Sequence, residues 1–160
     1  MKTISEPRPQ IQTIPLWIGG QRVSASATRT GEVFNPATGS VIRYVPMANS
    51  ADVHAAIRAA RDAFPSWQDT PPSRRARLMQ NFLALLHTHV SDLARICSEE
   101  HGKTTSDAAA AVQRGIEVVE FACGIPHLLK GEYSENVGAG LDCRSLRQPL
   151  GVCAGITPFN

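Results

Sequence analysis

No run of about 18 consecutive apolar residues occurs anywhere in the 160-residue sequence, so no membrane-spanning helix is read from it. The start, residues 1–10, is polar and carries Pro7 and Pro9 without an apolar core. It therefore reads as neither a secretory signal nor an Arg/Ser-rich transit peptide. The four cysteines at 97, 123, 143 and 153 never stand in C-x-x-C spacing, which removes the common zinc and dithiol frameworks. They are read as reduced thiols in a cytoplasm-like compartment. An excess of charge of one sign is missing too. The formal net charge is +2, too small to imply nucleic acid or an acidic membrane as partner. The densest basic run, Arg74-Arg75-Ala76-Arg77, has no interleaved aromatic to stack on bases and reads as the solvated first turns of a helix. There is no H-E-x-x-H, and His87 and His89, two apart on a helical pattern, point in different directions, so no metal site is expected. Gly138-Ala139-Gly140 lacks the third glycine of a dinucleotide fingerprint, the position being Cys143, and reads as a turn.

What is present is an ordinary globular composition, 42% hydrophobic and 19% charged, in a length that suits one domain. Residues 1–15 read as a flexible lead. Leu16-Trp17-Ile18 and Gln21-Arg22-Val23 around Gly19-Gly20 spell a hairpin. Residues 24–31 read as loop. Strands are expected at 32–34 and 41–46 around the turn Asn35-Pro36-Ala37-Thr38-Gly39.

Three amphipathic helices follow. The first starts at Ser50 with Asp52 near its positive end and carries Val53, Ile57, Ala60 and Phe64 as its stripe. Pro65 is expected to close it. The second starts near Pro72-Ser73 with Leu78, Phe82, Leu85 and Leu86 inward. A break or recapping is expected at Ser91-Asp92, with Leu93, Ile96 and Cys97 inward beyond it, and Gly102 as the closing glycine. The third follows Ser106-Asp107, with Ala108, Ala111, Val112, Gly115, Val119, Ala122 and Cys123 on its packing face. Pro126 is expected to kink its later part. Residues 128–140 read as loop and 141–148 as a half-exposed strand. The last segment, Gly151 to Thr157, reads as a buried strand that Pro158 stops. It needs a sheet that the preceding elements do not offer.

Few side chains qualify for chemistry. Cys97, Cys123 and Cys153 lie in apolar contexts and read as core thiols; Cys143 is expected to be exposed, without a base partner. Arg114, beside Gly115, is either a solvated helix arginine or a guanidinium placed to fork a carboxylate. Asn160 is either a turn residue or an N–H donor to a developing oxyanion.

Several segments in order carry a resemblance. Leu150-Gly151-Val152-Cys153-Ala154-Gly155-Ile156-Thr157-Pro158-Phe159-Asn160 resembles the segment that opens the NAD-binding domain of aldehyde dehydrogenases. Trp17-Ile18-Gly19-Gly20, Asn35-Pro36-Ala37-Thr38-Gly39, Phe64-Pro65-Ser66-Trp67 and Glu99-Glu100-His101-Gly102-Lys103-Thr104 resemble the same family. Within it, Arg114-Gly115-Ile116-Glu117-Val118-Val119-Glu120 and the Thr-Pro-Phe-Asn ending are most similar to the CoA-acylating methylmalonate-semialdehyde dehydrogenases. The resemblance implies an α/β fold, of which this chain is the N-terminal part: hairpins and helices over 16–140, a bridging or oligomerisation strand at 141–149, and the start of a Rossmann-like core from 150. It implies oxidation of a small semialdehyde with NAD and transfer of the acyl group to coenzyme A. It gives Asn160 the oxyanion, Ile156, Thr157, Pro158 and Phe159 the cofactor, and Arg114 the substrate carboxylate. It also implies homo-oligomers.

The mechanism implied is thiolate attack on the aldehyde, hydride transfer to NAD and release of a thioester to coenzyme A. The family's nucleophilic cysteine, glutamate and adenine pocket lie beyond this stretch, and no cysteine here takes the nucleophile's place. Two other readings stand beside this one: an aldehyde dehydrogenase acting on a neutral aldehyde, or a non-catalytic helical module whose strand 141–148 pairs with another sheet edge. The expected outcome for these 160 residues alone is no NAD reduction with malonate semialdehyde and coenzyme A, followed by absorbance. Turnover would sink the view that the sequence holds an incomplete set of catalytic groups.

Overall fold

The computed structural model describes residues 11–158. Those residues divide into two compact units. The first ends at Ala60 and also takes in Glu99–Gly102; the second holds Arg61–Ser98 and the described residues from Lys103 on.

In the first unit, strands β1 (Leu16–Ile18) and β2 (Gln21–Val23) pair antiparallel. The turn between them needs positive φ twice, and Gly19 (60°) and Gly20 (78°) supply it. Strands β3 (Thr30–Asn35) and β4 (Ser40–Pro46) form a second antiparallel pair, with a register shift between Val33 and Phe34. The Asn35 side chain fixes their turn by accepting from the Ala37 N–H at 2.9 Å. β3 thus begins at Thr30, inside the stretch expected to be loop. Residues 12–14 are not a free lead. The Ile14 N–H donates to the Tyr44 carbonyl at 2.8 Å and the Tyr44 N–H to the Gln12 carbonyl at 3.1 Å, because the outer edge of β4 offers unpaired groups there. Residues 1–10 of the expected lead lie outside the described residues.

Helix α1 spans Ser50–Gln68. Asn49 rather than Ser50 caps it, accepting from the N–H groups of Ala51 (2.9 Å) and Asp52 (3.1 Å). Asp52 reciprocates by accepting from the Asn49 N–H at 3.1 Å, a capping box built from one short amide and one short carboxylate. The same carboxylate accepts from the Ser26 N–H at 2.9 Å and its hydroxyl at 2.8 Å. It is thereby buried, 8% exposed, and it ties the loop before β3 to the helix start. These donors, Ser26 N–H foremost and Asn49 N–H next, hold the Asp52 carboxyl below its ordinary value of 3.8. Residues 99–102 complete the unit. Arg43 on β4 reaches Glu100 at 3.1 Å and Glu99 at 3.5 Å, and Gly102, at φ +83°, lies against Pro36.

Pro65 does not close α1, which runs on to Gln68. Proline removes the bond to the carbonyl one turn back and crowds that carbonyl, which strains the helix near its end without stopping it. Hydroxyls serve neighbouring carbonyls: Ser66 donates to Ala63 at 3.1 Å and Thr70 to Ser66 at 2.9 Å. The stripe of α1 is also displaced. Val53 (48%) and Ile57 (45%) are exposed, while Ala55, Ala59 and Phe64 are less so.

In the second unit, α2 (Pro72–Thr88) packs on α4 (Thr105–Cys123), and the short α5 (Ile125–Leu128) packs on both. α3 (Val90–His101) follows α2 after one non-helical residue, His89. The break therefore falls before Ser91-Asp92, at a residue whose N–H is shared between the carbonyls of Leu85 and Leu86. On α2 the protected residues are Ala76, Met79, Leu83 and Leu86. Leu78, Phe82 and Leu85, expected inward, face out, as does Ile96 on α3, where Ala94 is buried instead. On α4 the expected face is protected apart from Gly115, whose missing Cβ would meet nothing within 4 Å. Ala108 is fully buried, and so is Ile116, which the expected face did not include. Burying Ile116 contributes about 1.5–3 kcal/mol. α4 ends at Gly124, and Pro126 opens α5 rather than kinking α4.

Strands β5 (Tyr133–Gly138) and β6 (Leu141–Arg144) form a third hairpin, so residues 133–138 are not loop and the strand expected over 141–148 stops at Arg144. Asp142 fixes it, accepting from the Tyr133 hydroxyl at 2.6 Å and the Asn136 N–H at 2.9 Å. Residues 149–158 form no strand, because no neighbouring strand among the described residues supplies a ladder. The expectation of short strands with amphipathic helices holds; the helices number five, two of them made by the break at His89 and the cap at Gly124.

Replacing Gly102 by Ala should cost at least about 1–2 kcal/mol, the price of positive φ for an L-residue, since the new Cβ would also sit 2.8 Å from Pro36 Cγ. Urea unfolding of the intact protein measures it. The Asp52 network should show in acid. Its folded pKa lies below 3.8, so its stabilisation is complete above that value and lost as the pH falls through the folded pKa. The melting-temperature difference between the native protein and Asp52→Ala is expected to be constant well above pH 3.8 and to shrink below it. A difference that grew in acid would refute this.

Candidate functional site

Of the site residues expected from sequence, Arg114 lies on α4 and Ile156, Thr157 and Pro158 on the extended end, both in the second unit. α4 starts at Thr105, one residue before Ser106. Thr104 is its N-cap, its hydroxyl accepting from the Asp107 N–H at 3.2 Å. Asp107 in the first turn meets the positive helix end. With Ala108, Val112, Ile116 and Val119 turned to the packing face, Arg114 is placed about 200° around the helix from Ile116 and is exposed.

Arg114 makes no hydrogen bond or ion pair among the described residues. Glu120, one turn and a half further on, is engaged by His87 of α2 at 3.7 Å. Val118 and Phe121, four and seven residues beyond Arg114, are each 69% exposed and share its face. An open guanidinium bordered by apolar side chains suits a short chain carrying one carboxylate. Val118 and Phe121 were not singled out from sequence, although their i+4 and i+7 spacing from Arg114 carries that information.

The extended end leaves its groups open. Gly151 takes φ +99°. The backbone N–H and C=O groups of residues 152–158 make no backbone hydrogen bond among the described residues. Ile156 is fully exposed, Thr157 and Pro158 are exposed, and Gly155 has empty space where a Cβ would stand. A dinucleotide held through backbone groups fits such a stretch, since donors, acceptors and close approach are all available. Phe159 and Asn160 lie outside the described residues. No hydrogen bond or ion pair joins Arg114 to Ile156, Thr157 or Pro158.

All four cysteines are free: Cys97 and Cys123 half-buried, Cys143 and Cys153 exposed. Cys153 was expected to be buried, and is exposed because its segment forms no strand. Among the described residues no group of three potential metal ligands occurs, and no helix is long and apolar enough to cross a membrane.

Comparison with known proteins places this geometry. The model of the aldehyde dehydrogenase family matches residues 23–160. The malonate-semialdehyde dehydrogenase of Pseudomonas aeruginosa is 50% identical over 143 residues, covering 89% of this chain and 29% of the relative. Malonate-semialdehyde dehydrogenase 1 of Geobacillus kaustophilus is 46% identical over 157 residues, covering 98% and 32%. Among solved structures, methylmalonate-semialdehyde dehydrogenase from Oceanimonas doudoroffii superposes with a TM-score of 0.88 at 52% identity, covering 93% of this chain and 30% of that one. A structure from Sinorhizobium meliloti assigned to the same activity, complexed with NAD, superposes with a TM-score of 0.91 at 46% identity, covering 96% and 31%. The chain spans about a third of the length of the curated relatives it matches. With the family model matched over most of the sequence and the fold shared closely, the chain belongs to the aldehyde dehydrogenase family.

Proposed function

We propose that these residues form the N-terminal part of an NAD-dependent, CoA-acylating dehydrogenase of malonate or methylmalonate semialdehyde. The observation that carries the reading is Arg114, a cation exposed beside apolar Val118 and Phe121 and without a partner among the described residues. A semialdehyde of this class bears a carboxylate at the end of a short chain, and a guanidinium fork binds that group in two parallel hydrogen bonds. The names of the relatives point the same way.

Arg114 holds the substrate carboxylate and so fixes the distance to the aldehyde carbon. The Asn160 amide donates to the oxygen that gains negative charge as the carbonyl is attacked. Ile156, Thr157, Pro158 and Phe159 hold NAD, largely through backbone groups. NAD supplies hydride acceptance when bound. Coenzyme A takes the acyl group. The β5–β6 hairpin, with exposed Tyr133, Val137 and Leu141, bridges subunits of a homo-oligomer, and four free thiols suit a reducing cytoplasm.

In the intact protein, Arg114→Ala should raise KM for malonate semialdehyde about tenfold or more, the loss of a charged hydrogen-bonding partner. KM for propanal should not move, and stability should stay within about 0.5 kcal/mol. Steady-state NADH absorbance and thermal melting check both. An equal effect on the two aldehydes, or none on either, would favour a dehydrogenase of neutral aldehydes.

A further inference from the structure

Between the end of α1 and the first turns of α2 lies a cleft of about 320 Å³, lined by Trp67, Thr70, Arg74, Arg77, Leu78 and Asn81. Its size is at the lower end of the roughly 300–1,000 Å³ typical of small-molecule sites. The α2 residues stand at i, i+3, i+4 and i+7, so one helix face supplies both guanidiniums, an apolar side chain and an amide. Trp67 supplies an indole that is 47% exposed and Leu78 a side chain that is 51% exposed.

Three features fix the sign of the ligand. No acidic residue lines the cleft. Arg74 and Arg77 make no side-chain hydrogen bond or ion pair among the described residues. The α2 N-terminus has no acidic residue in its first turn and no side-chain cap, so its partial positive charge is not offset locally. Two adjacent guanidiniums suit a dianion better than a single carboxylate, because each can fork onto phosphate oxygens. The indole and Leu78 leave apolar surface for a planar ring beside the anion.

We propose that this cleft binds a small aromatic phosphate, with its ring on Trp67 and Leu78 and its phosphate between Arg74 and Arg77. Asn81 and Thr70 offer further hydrogen bonds to substituents. The site is separate from Arg114 and from residues 152–158, and its occupancy does not depend on the reaction assigned above.

The test is isothermal titration calorimetry of the intact protein with phenyl phosphate, and with inorganic phosphate, benzoate and benzyl alcohol in parallel. Phenyl phosphate is expected to bind more tightly than the other three. Arg74→Ala/Arg77→Ala should weaken it at least about tenfold, the loss of charge-assisted hydrogen bonds, while Arg74→Lys/Arg77→Lys retains part of the affinity. Trp67→Leu should abolish the preference for phenyl phosphate over inorganic phosphate. Native far-UV circular dichroism shows that these surface variants remain folded. No binding of phenyl phosphate, equal binding of inorganic phosphate or benzoate, or unchanged affinity in the double alanine variant would each overturn the proposal.

Discussion

The second unit rests on the packing of α2, α4 and α5, and the most deeply buried side chains of its helices are mostly small. Among the described residues the buried hydrophobic side chains are Ala76, Ala94, Ala108 and the larger Ile116. Small residues let helix backbones approach closely, but each brings little apolar area out of water. The larger hydrophobic residues are therefore displaced to outer faces: Leu78, Phe82 and Leu85 on α2, Val118 and Phe121 on α4. Of these, Val118 and Phe121 share the face of Arg114, and Leu78 lines the cleft with Arg74 and Arg77. The packing of α4 on α2, which buries Ala108 and Ile116, also turns Arg114 and its apolar neighbours outward.

Legibility in the sequence followed the number of stripes each helix offers. α4 has one face of small and branched residues, and most of its packing face was read, although Ile116, its largest buried side chain, was not. α2 has two interleaved apolar series, Ala76-Met79-Leu83-Leu86 and Leu78-Phe82-Leu85, both at helical spacing. Hydrophobicity favours the second, while close approach to α4 selects the first. Turns that need positive φ were plain at Gly19-Gly20 and Gly102. β5 was hidden, because its pairing is irregular and includes Asn136 at φ 55°. Helix boundaries moved where a polar side chain outside the periodic stretch did the capping, as at Asn49 and Thr104.

The candidate site was legible in part. Arg114 stood out because it breaks a run of small residues, and the structure leaves it exposed and open to a partner. Its apolar companions went unnoticed because exposed Val and Phe look like core residues until the packing face is known. The extended end showed its composition but not its conformation, since a strand is a relation between two segments and the second is absent from the described residues. Arg74 and Arg77 looked like a solvated helix face. Only the path of the chain through residues 69–71 brings Trp67 beside them.

The first unit is discontinuous along the chain, and Arg43 and Glu100, which help to close it, are 57 residues apart in sequence. Closing so long a loop delays the contact that rewards it. During synthesis the β3–β4 hairpin emerges well before Glu99–Gly102, and its Pro36 and Arg43 stay without those partners while α1, α2 and most of α3 are still being made. Early strands with open edges are the part of a nascent chain most exposed to wrong pairing. The order of emergence thus makes the β3–β4 hairpin wait for a partner that follows Arg43 by 57 residues.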